Sequence, residues 1–358
     1  MNDRIFRFGL MILLLFAIIY LGSLISWFFE PLFVIFRTLF IPMILSVFLF
    51  YILKPLVAVL EKKMARTWSI LVIYLALILI VTAMMMNFVP ILQNQFVSLT
   101  ESIPEFIGRI QQQIQDFQET DLIARLQLQG LLSVEELLVQ FNSLMSDLAT
   151  SLVNNITAVL GTLANIILVI VIIPFILFYF LKDREKMIAR FVSWFKPSDQ
   201  NHVSQVLVDI DKTLSSYIQG QGLVCLIVGT LCLVAFWIIR LDYALLLAFI
   251  AGLTNIIPYF GPWIGAIPAV IVAFFISPFT ALITIVAIIV IQQIESSLVS
   301  PQVIGRKMKI HPLTVMLLIL LSGRLLGVLG MIIAIPIYAV LRVLITHLYP
   351  IAKAKFSP

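Results

Sequence analysis

Apolar residues run along this chain in long stretches, at 8–28, 32–53, 68–89, 152–181, 222–239, 243–276, 279–298 and 313–345. Most are close to the roughly 20 residues that an α-helix needs to cross about 30 Å of hydrocarbon. Two are longer and are interrupted midway, one by Pro258-Tyr259-Phe260-Gly261-Pro262 and the other by Ser322-Gly323-Arg324-Leu325-Leu326-Gly327. Proline removes a backbone donor and glycine disfavours helix, so each break predicts a hairpin of two half-helices. The pattern therefore predicts an all-α polytopic membrane protein of about six full spans and two broken, re-entrant hairpins. Pairs of short, kinked spans are the other reading of the two broken units.

Between the apolar units the periodicity becomes amphipathic. Leu92, Phe96, Leu99, Ile103, Phe106, Ile110, Ile114 and Phe117 recur every three or four residues, and Ser133 with Glu136 resembles a capping box before a second helix. Val203, Val206, Leu207, Ile210, Leu214 and Tyr217 mark another amphipathic helix running into the fifth span. Packing or interfacial roles suit all three helices better than chemistry. The expected organisation is a scaffold of N-terminal transmembrane helices at 1–89 and extracytoplasmic amphipathic helices at 90–151. A fourth span with a cytoplasmic amphipathic helix follows at 152–221, then a transport half with both hairpins at 222–358.

Composition agrees with the pattern: 62% of the 358 residues are hydrophobic and 11% charged, against about 25% charged in soluble domains. The net charge of +5 matters less than its placement. With both hairpins returning to their starting side, 18 of the 23 basic residues fall on one side with both termini. The positive-inside rule makes that side cytoplasmic. The segment 90–151, with eight acids against Arg109 and Arg125, then faces outward. The opening stretch at 4–28 lacks a convincing small-x-small cleavage site and reads as a retained span. A basic surplus of this kind is no argument for nucleic acid.

The two broken units share a short pattern, Ala266-Ile267-Pro268 with Val272 and Ala334-Ile335-Pro336 with Val340, each preceded by glycines. Each hairpin follows one full span, and the two pairs enter from opposite sides. That is the layout of an inverted repeat, in which interrupted helices offer backbone groups to a solute or ion. Candidate pathway residues are Thr254, Asn255, Pro258, Gly261 and Pro262 at the first break, and Gly323, Arg324 and Gly327 at the second. Gln292, Glu295 and Ser296 share one helical face, and Glu295 is the intramembrane acid best placed to exchange a proton. An interfacial, water-capped Glu295 and a surface Arg324 are the bland readings, as is a simple turn-forming Asn255.

Other chemistry is scarce. Cys225 and Cys232 lie seven residues apart on one apolar run, too far to bridge within a helix. His202, His311 and His347 stand far apart in sequence without metal-ligand spacing. Neither a phosphate-binding loop, nor a dinucleotide fingerprint, nor a nucleophile elbow is present, so no cofactor and no enzymatic reaction is expected.

The order of several motifs resembles the autoinducer-2 exporter (PerM-like) family over nearly the whole chain. The residues that carry the likeness are Lys54-Pro55-Leu56, Tyr179-Phe180-Leu181-Lys182-Asp183 and Tyr217-Ile218-Gln219-Gly220-Gln221, then Asn255 through Pro262 and Gln293-Ile294-Glu295. Pro301, Ile304-Gly305, His311-Pro312-Leu313 and Gly327 through Pro336 complete it. The resemblance implies a bacterial inner-membrane exporter, with autoinducer-2 of quorum sensing or sodium-proton antiport among the family's activities. It also implies a homo-oligomer, a pentamer among the forms suggested, and elevator-like motion of the hairpin-bearing half. Ser297 stands where an Asn is often found, and Arg324 where small residues are common. The expected function is secondary export of a small solute, with the bilayer and further copies of the chain as partners. A monovalent cation-proton antiporter and a non-transporting membrane scaffold are the rival readings.

Overall fold

The computed structural model describes residues 26–99, 166–303 and 311–356, with a few isolated positions before residue 17 and at 101, 102 and 108. Most of the first apolar unit and most of the 90–151 segment, including its second amphipathic helix, lie outside the described residues. Every described element is a helix. In chain order they are α1 (Ser26–Leu60), α2 (Arg66–Leu99), α3 (Ile166–Val192), α4 (Pro197–Ile239), α5 (Ala244–Thr254), α6 (Phe260–Ile276), α7 (Pro278–Val303) and α8 (Pro312–Phe356). Two of them widen locally into a π turn, α2 at Met84–Phe88 and α7 at Glu295–Val299.

Five described helices are long and apolar enough to cross a membrane: Thr38–Leu60 within α1, α2, α4, α7, and Pro312–Tyr349 within α8. Four of the five are continuous. The fifth reverses at Gly327, whose φ of 63° and ψ of −148° no helix contains. The amphipathic stretch at 203–217 and the apolar one at 222–239 prove to be a single 43-residue helix, α4, about 64 Å long at 1.5 Å per residue. Pro197 opens it at the first turn, where a missing N–H costs nothing, and Arg240 closes it in the left-handed region.

α4 organises two apolar cores. Along its C-terminal half, Val224, Val228, Cys232 and Phe236 form an i, i+4 stripe in one core with Leu247, Ala248 and Ala251 of α5 and Ala269, Val272 and Ala273 of α6. The alanines let the three helices approach closely, as small residues do between membrane helices. Near the middle of α4, Tyr217 and Ile218 join a second core with Phe50 and Leu53 of α1, Ile70 of α2, Leu177 and Leu181 of α3, and Val315, Ile319, Ala334 and Ile335 of α8. Polar groups tie this second bundle as well. Fully buried Ser46 donates to the Ile173 carbonyl at 3.3 Å, and the Tyr74 hydroxyl donates to the Pro174 carbonyl at 2.7 Å.

The two ends of the bundle differ in character. At one end Asp211 Oδ2 accepts from Lys54 Nζ and from Arg184 Nη2, each at 2.7 Å. Arg66 reaches Glu185 at 2.9 Å and the Leu181 carbonyl at 2.8 Å, and His347 Nε2 lies 3.1 Å from Asp209 Oδ2. Basic positions from α1, α2, α3 and α8 thus gather on one end. Two histidines that are distant in sequence also meet there, the His202 and His347 rings lying 5.5 Å apart. At the opposite end the last turns of α2 meet the α4–α5 turn, where Leu246 N–H donates to Gln95 Oε1 at 3.0 Å and the Ser102 and Tyr243 hydroxyls lie 3.1 Å apart.

Candidate functional site

Both broken units reverse direction. In the first, α5 and α6 are joined by Asn255–Tyr259, and the turn closes through Ile257 N–H to the Thr254 carbonyl at 3.0 Å and Gly261 N–H to the Ile257 carbonyl at 2.7 Å. Tyr259 sits at a φ of 65°. The break lies slightly earlier than the sequence suggests, because Pro262 falls inside the first turn of α6, where proline is tolerated. Thr254 pins the arms, its hydroxyl donating to the Ile250 carbonyl at 2.8 Å and to the Gly261 carbonyl at 2.9 Å. A Cβ at position 261 would overlap the Thr254 carbonyl.

In the second hairpin the arms of α8 cross just as tightly, since a Cβ at 330 would overlap the Ser322 carbonyl. Positions 322 and 330 would stand about 12 Å apart along a straight helix, so the chain has doubled back at Gly327. The first hairpin opens toward the end where Tyr243 and Leu246 meet α2. The second opens toward the charged end, where its returning arm brings His347 to Asp209. The two reversals therefore point in opposite directions.

Between them lies a cavity of about 1100 Å³. Its wall takes Tyr217 and Gln221 from α4, Asn255, Pro258, Tyr259, Pro262 and Trp263 from the first tip, Gln292, Gln293, Glu295, Ser296 and Ser300 from α7, and Val315 and Ile335 from α8. The remaining wall is mainly isoleucine and valine. Ile267 and Ile335, the central residues of the two Ala-Ile-Pro motifs, both face this one space. Asn255 is 3% exposed, and its carbonyl accepts from Gln221 Nε2 at 2.7 Å, which docks the tip on the middle of α4. The π turn at Glu295–Val299 carries the acid. A π turn widens a helix and recurs at functional positions, and here Glu295 Oε1 accepts from the Ser300 hydroxyl one turn on.

Of the residues singled out in the sequence, Asn255, Pro258, Pro262, Gln292, Glu295 and Ser296 line the cavity together. Thr254 and Gly261 stand behind them as the closure of the tip. Gly323, Arg324 and Gly327 are not among the described residues of its wall, and Arg324 is exposed. The wall also takes Tyr217, Gln221, Trp263 and Ser300, which the sequence does not mark as pathway residues, although Tyr217 and Gln221 lie in the Tyr217-Ile218-Gln219-Gly220-Gln221 motif. Their i, i+4 spacing puts both on one face of α4 and is the sequence signal that pairs them. Among the described residues no group of three His, Cys, Asp or Glu side chains could hold a metal ion.

Residues 10–349 match the family described as AI-2E family transporter. Two relatives come from Bacillus subtilis (strain 168). "Putative transport protein YueF" is 37% identical over 99% of this chain and 96% of its own length, and "Putative transport protein YrrI" is 34% identical over 94% of each. "Putative permease PerM" of Escherichia coli (strain K12) is 27% identical over 88% of each chain. With a match that spans nearly the whole chain and relatives similar from end to end, this multi-pass membrane protein belongs to the AI-2E transporter family.

Proposed function

We propose that the chain is a secondary transporter that exports a small solute, of the autoinducer-2 type that the family's name suggests, across the bacterial inner membrane. The observation that carries the reading is the cavity itself. It lies where two oppositely directed hairpins meet a π turn, and it gathers polar side chains inside an otherwise apolar bundle. Interrupted helices in a bilayer are tolerated where they line a water-filled or solute-filled space, and sites of secondary transporters lie between such repeats. In this reading both hairpins are re-entrant, the end bearing Lys54, Arg66 and Arg184 is cytoplasmic with both termini, and the N-terminal helices form a scaffold. The hairpin half, residues 222–358, moves against that scaffold in an elevator-like step within a homo-oligomer. With no nucleotide-binding motif in the sequence, an ion gradient supplies the driving force.

Proteoliposome efflux of autoinducer-2 under imposed sodium and proton gradients tests the reading. Gradient-dependent efflux is expected, and none under either gradient ends it. Cation-proton antiport is the second reading, favoured by Glu295, the one carboxylate in the cavity wall among the described residues. Glu295→Gln keeps the shape and removes the charge. Solute exchange that survives while dependence on a pH gradient disappears assigns the coupling to Glu295. A flux-versus-pH profile identical to the parent's removes Glu295 from coupling.

A further inference from the structure

α6 and α7 are joined by Ser277 alone and pack along each other, so a level in the cavity is set by its distance from that turn. Ile271 and Ile285 stand six and eight residues from Ser277, Trp263 and Gln292 fourteen and fifteen. Between those levels the wall is Ala266, Ile267, Val270, Ile288 and Ile289, an apolar trough about 10–12 Å long at the rise of an α-helix. From Gln292 onward the character changes. Gln293, Glu295, Ser296 and Ser300 follow on α7, and Asn255 joins them from the first tip. The trough is open to the outside of the bundle, with Trp263 75% exposed, Ile289 60% and Ile267 51%. Because α7 is long and apolar enough to cross a membrane, that opening lies against hydrocarbon.

We propose that the cavity takes an amphiphile from the bilayer, a single-chain lipid whose hydroxyl-bearing head meets Gln292, Glu295 and Ser296 while its chain lies in the trough. The proposal rests on the cavity being the transport site and adds a lipid-soluble class to what that site accepts. Two other occupants each satisfy half of the wall. Water or a small polar solute answers the amides but wets the isoleucines. An apolar helix of a second copy covers the isoleucines but leaves the amides and the carboxylate without partners. An amphiphile answers both ends. Hydroxyls suit the head because they donate to the Glu295 carboxylate and the Gln292 side-chain carbonyl and accept from the Gln292 amide. Size agrees: at about 1100 Å³ the cavity exceeds the roughly 300–1,000 Å³ of small-molecule pockets, and a furanone would fill only its polar end. Trp263 stands at the border of the two sections, where an indole presents an apolar body and a polar N–H.

The test uses Trp263 as its reporter and reads occupancy separately from flux. With Trp27, Trp68, Trp194 and Trp237 replaced by phenylalanine, Trp263 is the one tryptophan of the chain. Its fluorescence is followed in phosphatidylcholine vesicles as a medium-chain monoacylglycerol with a brominated chain is added. Quenching is expected to saturate at low mole fraction, to be relieved by the unbrominated monoacylglycerol and to be insensitive to the alkane of matching length. Gln292→Leu keeps the size and removes the amide, and Ser296→Ala removes a hydroxyl. Each should raise the half-quenching mole fraction about two- to tenfold, the loss of one hydrogen bond. Quenching that grows in simple proportion to the probe, relief by the alkane, a parental midpoint in both variants, or no quenching at all, as under a covering copy of the chain, overturns the assignment. Efflux of the monoacylglycerol and of autoinducer-2 is read on the same vesicles. Saturable quenching without efflux of either ends the transport reading and leaves the amphiphile site standing, whereas autoinducer-2 efflux without saturable quenching removes the amphiphile and leaves the transport reading.

Discussion

The two hairpins share an Ala-Ile-Pro motif and a glycine jammed against a carbonyl of the opposite arm, yet they are held by different means. The first is pinned by side chains: Thr254 bridges its arms, and Gln221 of α4 grips the Asn255 carbonyl. Asn255 and Ile257 of its tip are buried, Tyr259 is exposed, and the tip faces the cavity. The second turns at the positive φ of Gly327, with the Met331 side chain packed close against Gly323, and its tip carries an exposed Arg324. It gives Val315 and Ile335 to the cavity wall from its arms. The same chain reversal therefore contributes differently to one cavity, a tip with Asn255, Pro258 and Tyr259 in its wall from the first hairpin and the apolar Val315 and Ile335 from the arms of the second.

The widest separation between the hairpins is expected at their glycines. Gly261→Ala forces a methyl into the Thr254 carbonyl, and overpacking of this kind costs about 1–3 kcal/mol. Because the displaced tip is cavity wall, flux at matched membrane insertion should fall about tenfold or more. Gly327→Ala meets no neighbouring atom but must hold a φ of 63° with a ψ of −148°, a region essentially confined to glycine, which costs about 1–3 kcal/mol of stability. Its flux per folded molecule should stay within about threefold of the parent. Transport assays paired with thermal unfolding check both, and equal losses of flux would erase the functional difference between the tips.

A finer contrast uses the pinning residue. Thr254→Val preserves shape and removes the hydroxyl that holds Gly261, a loss of about 0.5–1.5 kcal/mol for a typical hydrogen bond. Flux is expected to drop a few-fold, whereas Ser322→Ala at the corresponding crossing of the second hairpin should change it little. If Ser322→Ala is the more damaging, the second hairpin has a polar lock of its own. Arg324→Ala tests the exposed tip directly. A change of less than about twofold in the half-saturating solute concentration is expected, within the range of surface substitutions.

Much of this arrangement was legible in the sequence. Pro258, Gly261 and Gly327 announce the two breaks because proline and glycine act on the backbone locally, and the i, i+3, i+4 spacing of Gln292, Glu295 and Ser296 puts them on one face by helix geometry alone. The Ala-Ile-Pro match also holds in space, since both isoleucines reach one cavity. What could not be read depends on contacts between segments distant in the chain. Gln221 meets Asn255 across 34 positions. Arg324 is read from the sequence as a pathway residue because an arginine in an apolar run is costly, and in the structure it stands exposed close to the reversal at Gly327. The π turn at Glu295 has no composition of its own to betray it. Lys54 and Arg184 count as free charges in a tally by side, whereas in the structure they share Asp211.

The smallest effect is expected at the charged end, in a contact that neither hairpin shares. The Arg66 guanidinium donates to Glu185 and holds its carboxyl below the ordinary value of 4.5, its positive charge adding to the hydrogen bond. A depressed carboxylate contributes stability that is present above the unfolded value and is lost as pH falls through the folded one, so the window lies on the acid side of 4.5. Glu185 is 78% exposed, which limits the contribution to the roughly 0–1 kcal/mol of surface pairs and makes it sensitive to salt. Glu185→Gln should therefore flatten acid unfolding slightly below pH 4.5 while flux near neutral pH stays parental. A flux-versus-pH profile near neutral that instead follows Glu185 would place pH sensing at the corner where α2 meets α3. The polar tip would then keep the solute, and the difference between the two hairpins would no longer account for how transport responds to protons.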